Sequence, residues 1–360
     1  MKKLLIVLAV IAFCIQAPAI DKIANNDKYE ELINKATDKA LEFLAKQQSP
    51  NGSFPNQRGP NTGIASLCVM AFLAKGYQSD LEPYGKIINK SIDFVLSQQQ
   101  PSGLISNGDR DSMYCHNIST LMLSEVSGMV NPERQKKIDT ALAKAIKLII
   151  DAQKVQKADV HKGGWCYFVN SQDSDLSQSG WALMALRSAR NNGAPVPKEA
   201  IDDAIAFIEK KQNADGTFSY SPTYPDGLCS YFAKTGTALL CLELCGKHRN
   251  ERCIKAQQYL QKKLDSYGNK PWAGVEKELF YYGMYYVAQG MYQYGGEEWE
   301  KFSPTLFNII LGAQSEDGSW DQKTVQQDRE VENWAGSCYK TAMAVLALSV
   351  SYRQLPIYQR

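Results

Sequence analysis

The stretch QSEDGSW, residues 314–320, places a glutamine before and a tryptophan after an Asp-Gly pair near the C-terminus of a 360-residue chain. Asp-Gly pairs supply residues that tolerate positive φ angles, so they end helices and reverse the chain. Related stretches end at Phe54 (QQSPNGSF), at Phe218 (QNADGTF) and, in a degraded form, at Ile105 (QQQPSGLI). The motif is therefore one copy of a repeat, and this repeat decides the fold.

The repeat begins with an apolar residue that is followed five positions later by a glutamine. Five copies keep this pair, namely Phe43 with Gln48, Phe94 with Gln99, Leu148 with Gln153, Phe207 with Gln212, and Ile309 with Gln314. A sixth copy, Tyr259 with Leu264, has lost the glutamine, and successive copies lie 50 to 59 residues apart. In five copies a glycine follows four residues later, at Gly52, Gly103, Gly216, Gly268 and Gly318. A period of this length indicates a repeat architecture, here of six units.

Each unit contains two segments with different helical patterns. The first, such as 36–48, has apolar residues on one stripe and charges opposite, which predicts a helix with one solvated face. The second, such as 64–74 (IASLCVMAFLA), is apolar on nearly every side, which predicts a helix buried all round. Six such pairs predict an all-α fold, a closed (α/α)6 toroid with the second helices inside. An open solenoid is the alternative, but no terminal unit has the polar pattern of a capping repeat.

The N-terminus has the pattern of a secretory signal peptide. Lys2 and Lys3 precede an apolar run from residue 4 to 15, and small residues, Ala17 and Ala19, stand at the −3 and −1 positions of a cut after Ala19. Such a run is too short for a stable membrane span. We therefore expect a secreted or periplasmic protein with no transmembrane segment in the mature chain.

The predicted organisation is a signal peptide at 1–19, a lead at 20–27, the toroid at 28–352 and a tail at 353–360. The whole chain has 40 basic and 38 acidic residues, and removal of the leader takes away two lysines and no acid, which leaves a neutral protein. A neutral chain without a basic run lacks the electrostatic footprint of a protein that binds nucleic acid or an anionic membrane surface.

Eight cysteines remain after the leader, an even number that permits disulfides in an oxidising compartment. Four of them recur at the start of second segments: Cys115, Cys166, Cys229 and Cys338. Two inter-repeat disulfides and small packing groups are the alternatives for these four. A local bridge is the corresponding alternative for the cluster of Cys241, Cys245 and Cys253.

The glutamine, Asp-Gly turn and tryptophan of QSEDGSW resemble the QW repeats of squalene-hopene and oxidosqualene cyclases. The wider pattern is similar to the prenyltransferase and squalene cyclase repeat superfamily, and residues 163–197 resemble exported bacterial proteins that carry one such toroid. The resemblance covers nearly all of the mature chain and implies an α/α toroid. It also implies a terpene-cyclase-like protein that binds an apolar isoprenoid or lipid-like ligand in a central cavity, and an active member of the superfamily would also transform that ligand.

In the cyclases, a DxDD motif at the start of an inner helix supplies the acid that protonates the substrate. Here the matching place is Asp173-Ser-Asp-Leu176, where two aspartates match the motif and the last position does not. The resemblance makes Asp173 and Asp175 the candidate catalytic acids of an isomerase or lyase reaction. The alternative is that Asp175 caps a helix by accepting hydrogen bonds from the amides of Ser177 or Gln178.

Protein prenyltransferases of the same superfamily hold zinc with an aspartate, a cysteine and a histidine. Asp226 and Cys229 nearly match the first two, but the place of the histidine is occupied by residues 336–339 (GSCY). His116 could supply an imidazole, but it belongs to a different repeat. We therefore predict neither a metal nor another cofactor.

Ring closure would bring the starts of the second helices together around one cavity. The predicted cavity and ligand-binding residues are His116, Trp165, Trp181, Asp226, Tyr231, Tyr281, Tyr282, Trp334 and Tyr339. Tyrosines in 279–294 could bind an apolar chain, stack on sugars, or simply fill space between helices. Two other functions remain open: a non-catalytic periplasmic binding or scaffold protein, and a carbohydrate-active toroid with Glu276, Glu278 and Glu332 as carboxylates.

Overall fold

The computed structural model of the protein describes residues 18–108, 112–223, 230–268, 280–321, 331–352 and 354–359. Its regular elements within these ranges are helical, which confirms the all-α prediction. The α-helices are α1 Pro18–Gln47, α2 Thr62–Ala74, α3 Gly85–Ser97, α4 Ser112–Val126, α5 Pro132–Gln153, α6 Leu176–Asn191, α7 Lys198–Glu209, α8 Tyr231–Leu244, α9 Glu251–Tyr267, α10 Phe280–Tyr294, α11 Gly296–Leu311 and α12 Val331–Leu348. Two 3-10 helices follow, Val350–Tyr352 and Pro356–Tyr358. The predicted signal-peptide cut at Ala19 falls within α1 and stays a prediction.

The even-numbered helices form a closed inner ring. Each of them packs against the next even-numbered helix, and α12 packs against α2, so the ring has no open end. Every residue of α2 is buried, as its apolar pattern predicts. The odd-numbered helices lie outside, and α1 contacts both α11 and α12. The closed toroid of six helix pairs is thus confirmed, and an open solenoid is excluded.

The repeat glutamines join consecutive outer helices. In each of the five units that keep the glutamine, its Nε2 donates to a backbone carbonyl oxygen of the next outer helix. The bonds run from Gln48 to Ile87 (2.7 Å), from Gln99 to Ala141 (2.9 Å), from Gln153 to Ala200 (2.8 Å), from Gln212 to Arg252 (2.8 Å) and from Gln314 to Ala36 (2.7 Å). The last of these connects the sixth unit to the first, and so closes the outer ring.

The turn glycines pack against the same neighbouring helices, one helical turn further along. Gly318 has a φ of 90°, and a Cβ on it would lie 2.6 Å from the carbonyl oxygen of Lys39, three residues after the partner of Gln314. Only glycine permits both this φ angle and this approach. In the third unit the glycine with this contact is Gly163, ten residues after the glutamine, because the loop is longer. Gly268 makes no such approach.

The aromatic residues that end the motif connect the outer helices to the inner ones. Trp320 is fully buried, and its Nε1 donates to Ile310 O at the end of α11 (2.8 Å). Its backbone N–H donates to Thr341 Oγ1 on α12 (3.0 Å). Trp320 is therefore a structural residue of the repeat, as its place in the motif predicts.

Part of the predicted tail, 354–359, is docked against the end of the ring that lies opposite the N-termini of the inner helices. The Tyr358 hydroxyl hydrogen-bonds to the Tyr285 hydroxyl (2.6 Å), and Gln293 Nε2 donates to Tyr358 O (3.2 Å). The backbone N–H of Ile357 donates to the buried carboxyl of Glu125 (3.1 Å), which also accepts from Ser188 Oγ. This segment thus covers part of one end of the toroid. No helix in the described part of the chain combines the length and apolar character needed to cross a bilayer.

The energetic role of the Gly318 contact can be measured by comparison with a glycine that has a similar φ angle but makes no close contact. Gly193 has a φ of 86° and nothing within 4 Å of an added Cβ. We expect Gly193→Ala to lower the free energy of unfolding by about 1 kcal/mol through backbone strain. Gly318→Ala should cost at least about 3 kcal/mol because a carbonyl of α1 must also move. Urea denaturation measures both losses, and equal losses would contradict the packing role of the glycine.

Glu125→Gln tests the docking of the tail. Burial raises the pKa of Glu125 to about 7 from its ordinary 4.5. The folded protein therefore holds this proton more tightly than the unfolded chain, so stability is full below about pH 4.5 and falls as the pH rises toward 7. We expect the free energy of unfolding to fall by at most about 3 kcal/mol as the pH rises through this range. Glu125→Gln should abolish this pH dependence, because glutamine does not titrate. Denaturation at pH 5 and pH 8 measures it. Glu42→Gln, at an exposed position on α1, is the control and should keep the pH dependence of the wild-type protein. If Glu125→Gln also kept it, the pH dependence would not come from Glu125.

Candidate functional site

The N-termini of the inner helices meet at one end of the ring. Partly exposed aromatic side chains from several repeats lie at this end. These residues, called here the aromatic bowl, are Tyr114, Tyr167, Tyr220, Tyr231, Trp334 and Tyr339. The rings of Tyr114 and Tyr167 meet edge to face at 5.6 Å, and the hydroxyls of Tyr167 and Tyr220 are 2.7 Å apart. Two cations lie over bowl rings, Lys234 at 3.8 Å from Tyr231 and Arg58 at 3.9 Å from Trp334.

The floor of the aromatic bowl is closed by side chains that meet across the ring axis. Trp181 of α6 stacks on Tyr285 of α10 with ring centroids 5.6 Å apart, and it meets Tyr286 edge to face at 5.3 Å. Tyr282, at 8% exposure, lies next to Tyr286, while Trp181, Tyr285 and Tyr286 are at most 1% exposed. At this level the aromatic residues fill the axis. These aromatic side chains therefore pack against one another below the bowl.

Asp175 caps α6, as the alternative interpretation of the sequence holds. Its Oδ1 accepts hydrogen bonds from the backbone N–H of Gln178 (2.8 Å) and from Ser177 Oγ (2.6 Å). The residue is fully buried, and burial raises the pKa of its carboxyl despite these hydrogen bonds, which lower it. Oδ2 exposes less than 1 Å² and has no conventional hydrogen bond in the described structure. Asp175 is thus a buried acid that no ligand in the bowl can touch directly.

Asp173 is in a different environment from Asp175. Its side chain is 51% exposed, and its Oδ1 lies 3.4 Å from Nε2 of the buried His161. The other ring nitrogen of His161 accepts from the backbone N–H of Ser174 (2.9 Å), so Nε2 carries the proton that faces Asp173. The two candidate acids are therefore not equivalent, since one is sealed and the other is solvated and paired.

A buried lysine lies behind the two aspartates. Lys157 Nζ donates to Gly164 O (2.6 Å) and contacts Ser174 Oγ (3.4 Å). Burial lowers its pKa to about 8, and the nearby Cys166, Asp173 and Asp175 oppose that decrease. The sequence analysis missed Lys157, because a single lysine after a repeat glutamine has the pattern of a solvated loop residue.

Hydroxyl groups connect the buried acid to the aromatic bowl. Ser177 Oγ donates to Asp175 Oδ1 and accepts from the Tyr114 hydroxyl (2.6 Å). The Tyr220 hydroxyl lies 3.4 Å from Ser177 Oγ and 2.7 Å from the Tyr167 hydroxyl. Burial and neighbouring groups that include Asp175 raise the pKa of Tyr114 and of Tyr220. These tyrosines are therefore neutral hydrogen-bonding groups.

Two predicted cavity residues have structural partners instead. His116 is fully buried, its Nδ1 accepts from the Ile105 N–H (3.0 Å), and its Nε2 donates to Ala145 O (3.2 Å). His116 thus accepts the backbone N–H of the last residue of its repeat motif, as Thr341 Oγ1 accepts that of Trp320 in the sixth unit. Burial lowers its pKa to about 4, so the ring is neutral, and neither nitrogen is open to a metal. Trp165 is buried and donates from Nε1 to Ile149 O (2.7 Å), as Trp320 does in its own unit.

Five of the other predicted site residues lie at the aromatic bowl or just below it. Tyr231, Trp334 and Tyr339 belong to the rim, and Tyr282 and Trp181 belong to the floor. Tyr281 is 1% exposed, and burial together with the nearby Glu332 raises its pKa. The predicted residues Asp226, Cys229, Glu276 and Glu278 lie outside the described residues. Within the described ranges no group of three or more metal-ligating side chains occurs.

Six described cysteines are free thiols, so the disulfide interpretation is wrong for them. They are Cys68, Cys166, Cys241, Cys245, Cys253 and Cys338. Burial raises the pKa of Cys166 to about 12, and all but Cys245 are buried. They act as small packing groups.

Comparison with known proteins identifies the fold class. No protein-family model and no curated protein matches the chain. An inactive variant of an α-1,6-mannanase of Salegentibacter sp. HEL1_6, solved with α-1,6-mannotriose, is similar at a TM-score of 0.63 and 11% identity, covering 88% of this chain and 98% of that one. The type II terpene cyclase MstE from Scytonema is similar at 0.57 and 14%, covering 90% and 100%.

An unsaturated glucuronyl hydrolase specific for heparin is also similar, at a TM-score of 0.59 and 11% identity, covering 91% of this chain and 99% of that one. Identities this low establish the fold alone. The protein is thus an α/α toroid, and this class contains both terpene cyclases and carbohydrate hydrolases.

Substitutions at Asp175 separate its capping role from its charge. Asparagine is an equally good N-cap, so Asp175→Asn should keep or raise the melting temperature at pH 7, because the folded state no longer buries a titrating carboxyl whose pKa is raised. Asp175→Ala leaves the Gln178 N–H without its acceptor and should cost about 1 to 2 kcal/mol. Thermal denaturation compares the two, and a larger loss in the asparagine variant would show that the charge itself stabilises the fold.

Proposed function

We propose that the protein is a squalene-cyclase-like toroid that binds an apolar isoprenoid or lipid-like ligand in the aromatic bowl. The observation that carries this proposal is the convergence of partly exposed aromatic side chains from repeats two, three, four and six on one mouth. Large aromatic surfaces in a concave site contribute binding free energy chiefly by burial of apolar area. The resemblance of the repeat motif to QW repeats adds support for an isoprenoid-like ligand.

The geometry favours binding over chemical transformation. Protonation of an alkene requires the acidic proton to reach the substrate within hydrogen-bonding distance. Asp175 is sealed below the surface, and Asp173 is half exposed and paired with His161. Neither position resembles a desolvated acid that faces a substrate, so we assign these aspartates no catalytic step.

Export belongs to the same proposal. It rests on the pattern of residues 1–19, which lies almost wholly outside the described residues. We expect the mature protein to begin at Ile20, and N-terminal sequencing of protein secreted by its own host tests this. A mature chain that retains residues 1–19 in the cytosol would overturn this part of the proposal.

Binding to the aromatic bowl is tested with trans,trans-farnesol as the probe. We expect the double variant Tyr231→Ala and Trp334→Ala to weaken farnesol binding at least about tenfold, because two walls of the bowl lose apolar area. Tyr259→Ala is the matched control, since Tyr259 lies on the outer helix α9 and is also partly exposed. Equilibrium dialysis with labelled farnesol measures the affinities.

Two outcomes would contradict the proposal. One is equal weakening of farnesol binding by the double variant and by the control. The other is the retention of an oligosaccharide, in place of a lipid, when gently purified protein is examined by native mass spectrometry. The second outcome would favour the carbohydrate-active alternative, since tyrosine rings and hydroxyls also suit sugars.

A further inference from the structure

Three buried side chains below the aromatic bowl carry polar atoms without hydrogen-bond partners. Asn117 of α4 and Gln178 and Trp181 of α6 are all 0% exposed. Asn117 Oδ1, Gln178 Nε2 and Trp181 Nε1 have no partner in the described structure. A buried polar atom without a partner destabilises the fold, and native proteins contain few of them. Three such atoms on two adjacent inner helices therefore require an explanation.

Asn117 and Gln178 form one amide pair between α4 and α6, and Trp181 lies one helical turn further along α6. Gln178 and Trp181 are three residues apart, so they lie on the same face of α6. Asn117 Nδ2 reaches Gln178 Oε1 from α4 at 3.4 Å. One hydrogen bond between two amides leaves the carbonyl oxygen of one and the NH2 group of the other without a partner. Turning both amides by 180° keeps this bond and only exchanges the two roles. The pair therefore always presents one acceptor and one donor.

The amide pair lies directly beneath a member of the aromatic bowl. Tyr114 precedes Asn117 by three residues, so it lies on the same face of α4, one turn nearer the mouth. Its hydroxyl bonds to Ser177 Oγ, next to Gln178, at 2.6 Å. Two bridges thus join α4 to α6, with Tyr114 and Ser177 above and Asn117 and Gln178 below. A ligand group that reached the amides from the bowl would pass Tyr114, which is partly exposed.

We propose that this place binds the neutral hydroxyl head group of the ligand, with Asn117 as hydrogen-bond acceptor and Gln178 and Trp181 as donors. The inference rests on the proposed function, because the apolar part of the same ligand lies in the aromatic bowl. A hydroxyl group both donates and accepts, so it matches the acceptor and the donor that the amide pair leaves over. The ligand class is therefore an isoprenoid-like alcohol.

Other head groups fit less well. A hydrocarbon would leave all three polar atoms unpaired. A diphosphate would lie close to the Asp175 carboxyl, which accepts the backbone N–H of Gln178 itself at 2.8 Å. Buried like charges repel strongly in a region of low dielectric constant, so an anionic head group is disfavoured.

The test compares three probes: trans,trans-farnesol, the hydrocarbon with the same carbon skeleton but no hydroxyl, and farnesyl diphosphate. We expect farnesol to bind about tenfold more tightly than the hydrocarbon, as one or two net hydrogen bonds provide. The diphosphate should bind more weakly than the alcohol. Equilibrium dialysis with labelled probes measures all three affinities.

Variants assign the preference to the amides. The double variant Asn117→Leu and Gln178→Leu should bind farnesol and the hydrocarbon equally, with hydrocarbon affinity kept. Gln261→Leu is the matched control, because Gln261 is also buried with an unpartnered Oε1 but lies on the outer helix α9. It should keep the tenfold preference. Trp181→Phe, which keeps an aromatic ring and loses the N–H, should reduce the preference in part and serves if the double variant does not fold.

The outcomes separate this inference from the proposed function. If neither farnesol nor the hydrocarbon binds, the proposed function fails and this inference fails with it. If both bind equally to the wild-type protein, the proposed function stands and the hydroxyl site is refuted. Tighter binding of the diphosphate, or a preference that survives in both the double variant and Trp181→Phe, would also overturn the inference.

Discussion

Closure of the ring rests on one contact that recurs in five of the six units, between the turn after the outer helix and the next outer helix. A glutamine side chain donates to one carbonyl oxygen of that helix, and a glycine packs against the carbonyl three residues later. Each hydrogen bond contributes only about 1 kcal/mol net, so its importance is geometric more than energetic. It sets the spacing of consecutive outer helices in these five units, and in the sixth unit the contact is with α1, which closes the ring.

Ring closure then determines where function can lie. Because every inner helix runs in the same sense, all their N-termini reach one end of the ring, and side chains from distant repeats become neighbours there. Burial changes the chemistry of these side chains. It raises the pKa of Asp175, lowers that of Lys157 to about 8, and keeps His116 neutral. The other end is partly covered by the docked segment around Ile357, which Glu125 holds through a backbone N–H.

Aromatic side chains pack against one another beneath the bowl. Trp181 stacks on Tyr285 and meets Tyr286 edge to face. The inner helices are also closely packed, since a Cβ on Gly236 of α8 would lie 2.5 Å from Val287 of α10. These contacts hold the inner helices together below the mouth.

The fold could be predicted from the sequence because the repeat is a local pattern: apolar periodicity defines each helix, and a glutamine and a glycine mark most of the turns. The sequence also placed Tyr231, Trp334 and Tyr339 at the starts of inner helices, where the structure has them. Tertiary contacts were needed to show that His116 and Trp165 are structural, that Cys166 and Cys338 are free thiols, and that Asp175 is sealed. The physical reason is that burial and hydrogen-bond partners come from other repeats. A residue of the same type in the same local pattern thus packs, caps or binds according to neighbours that are distant in the chain.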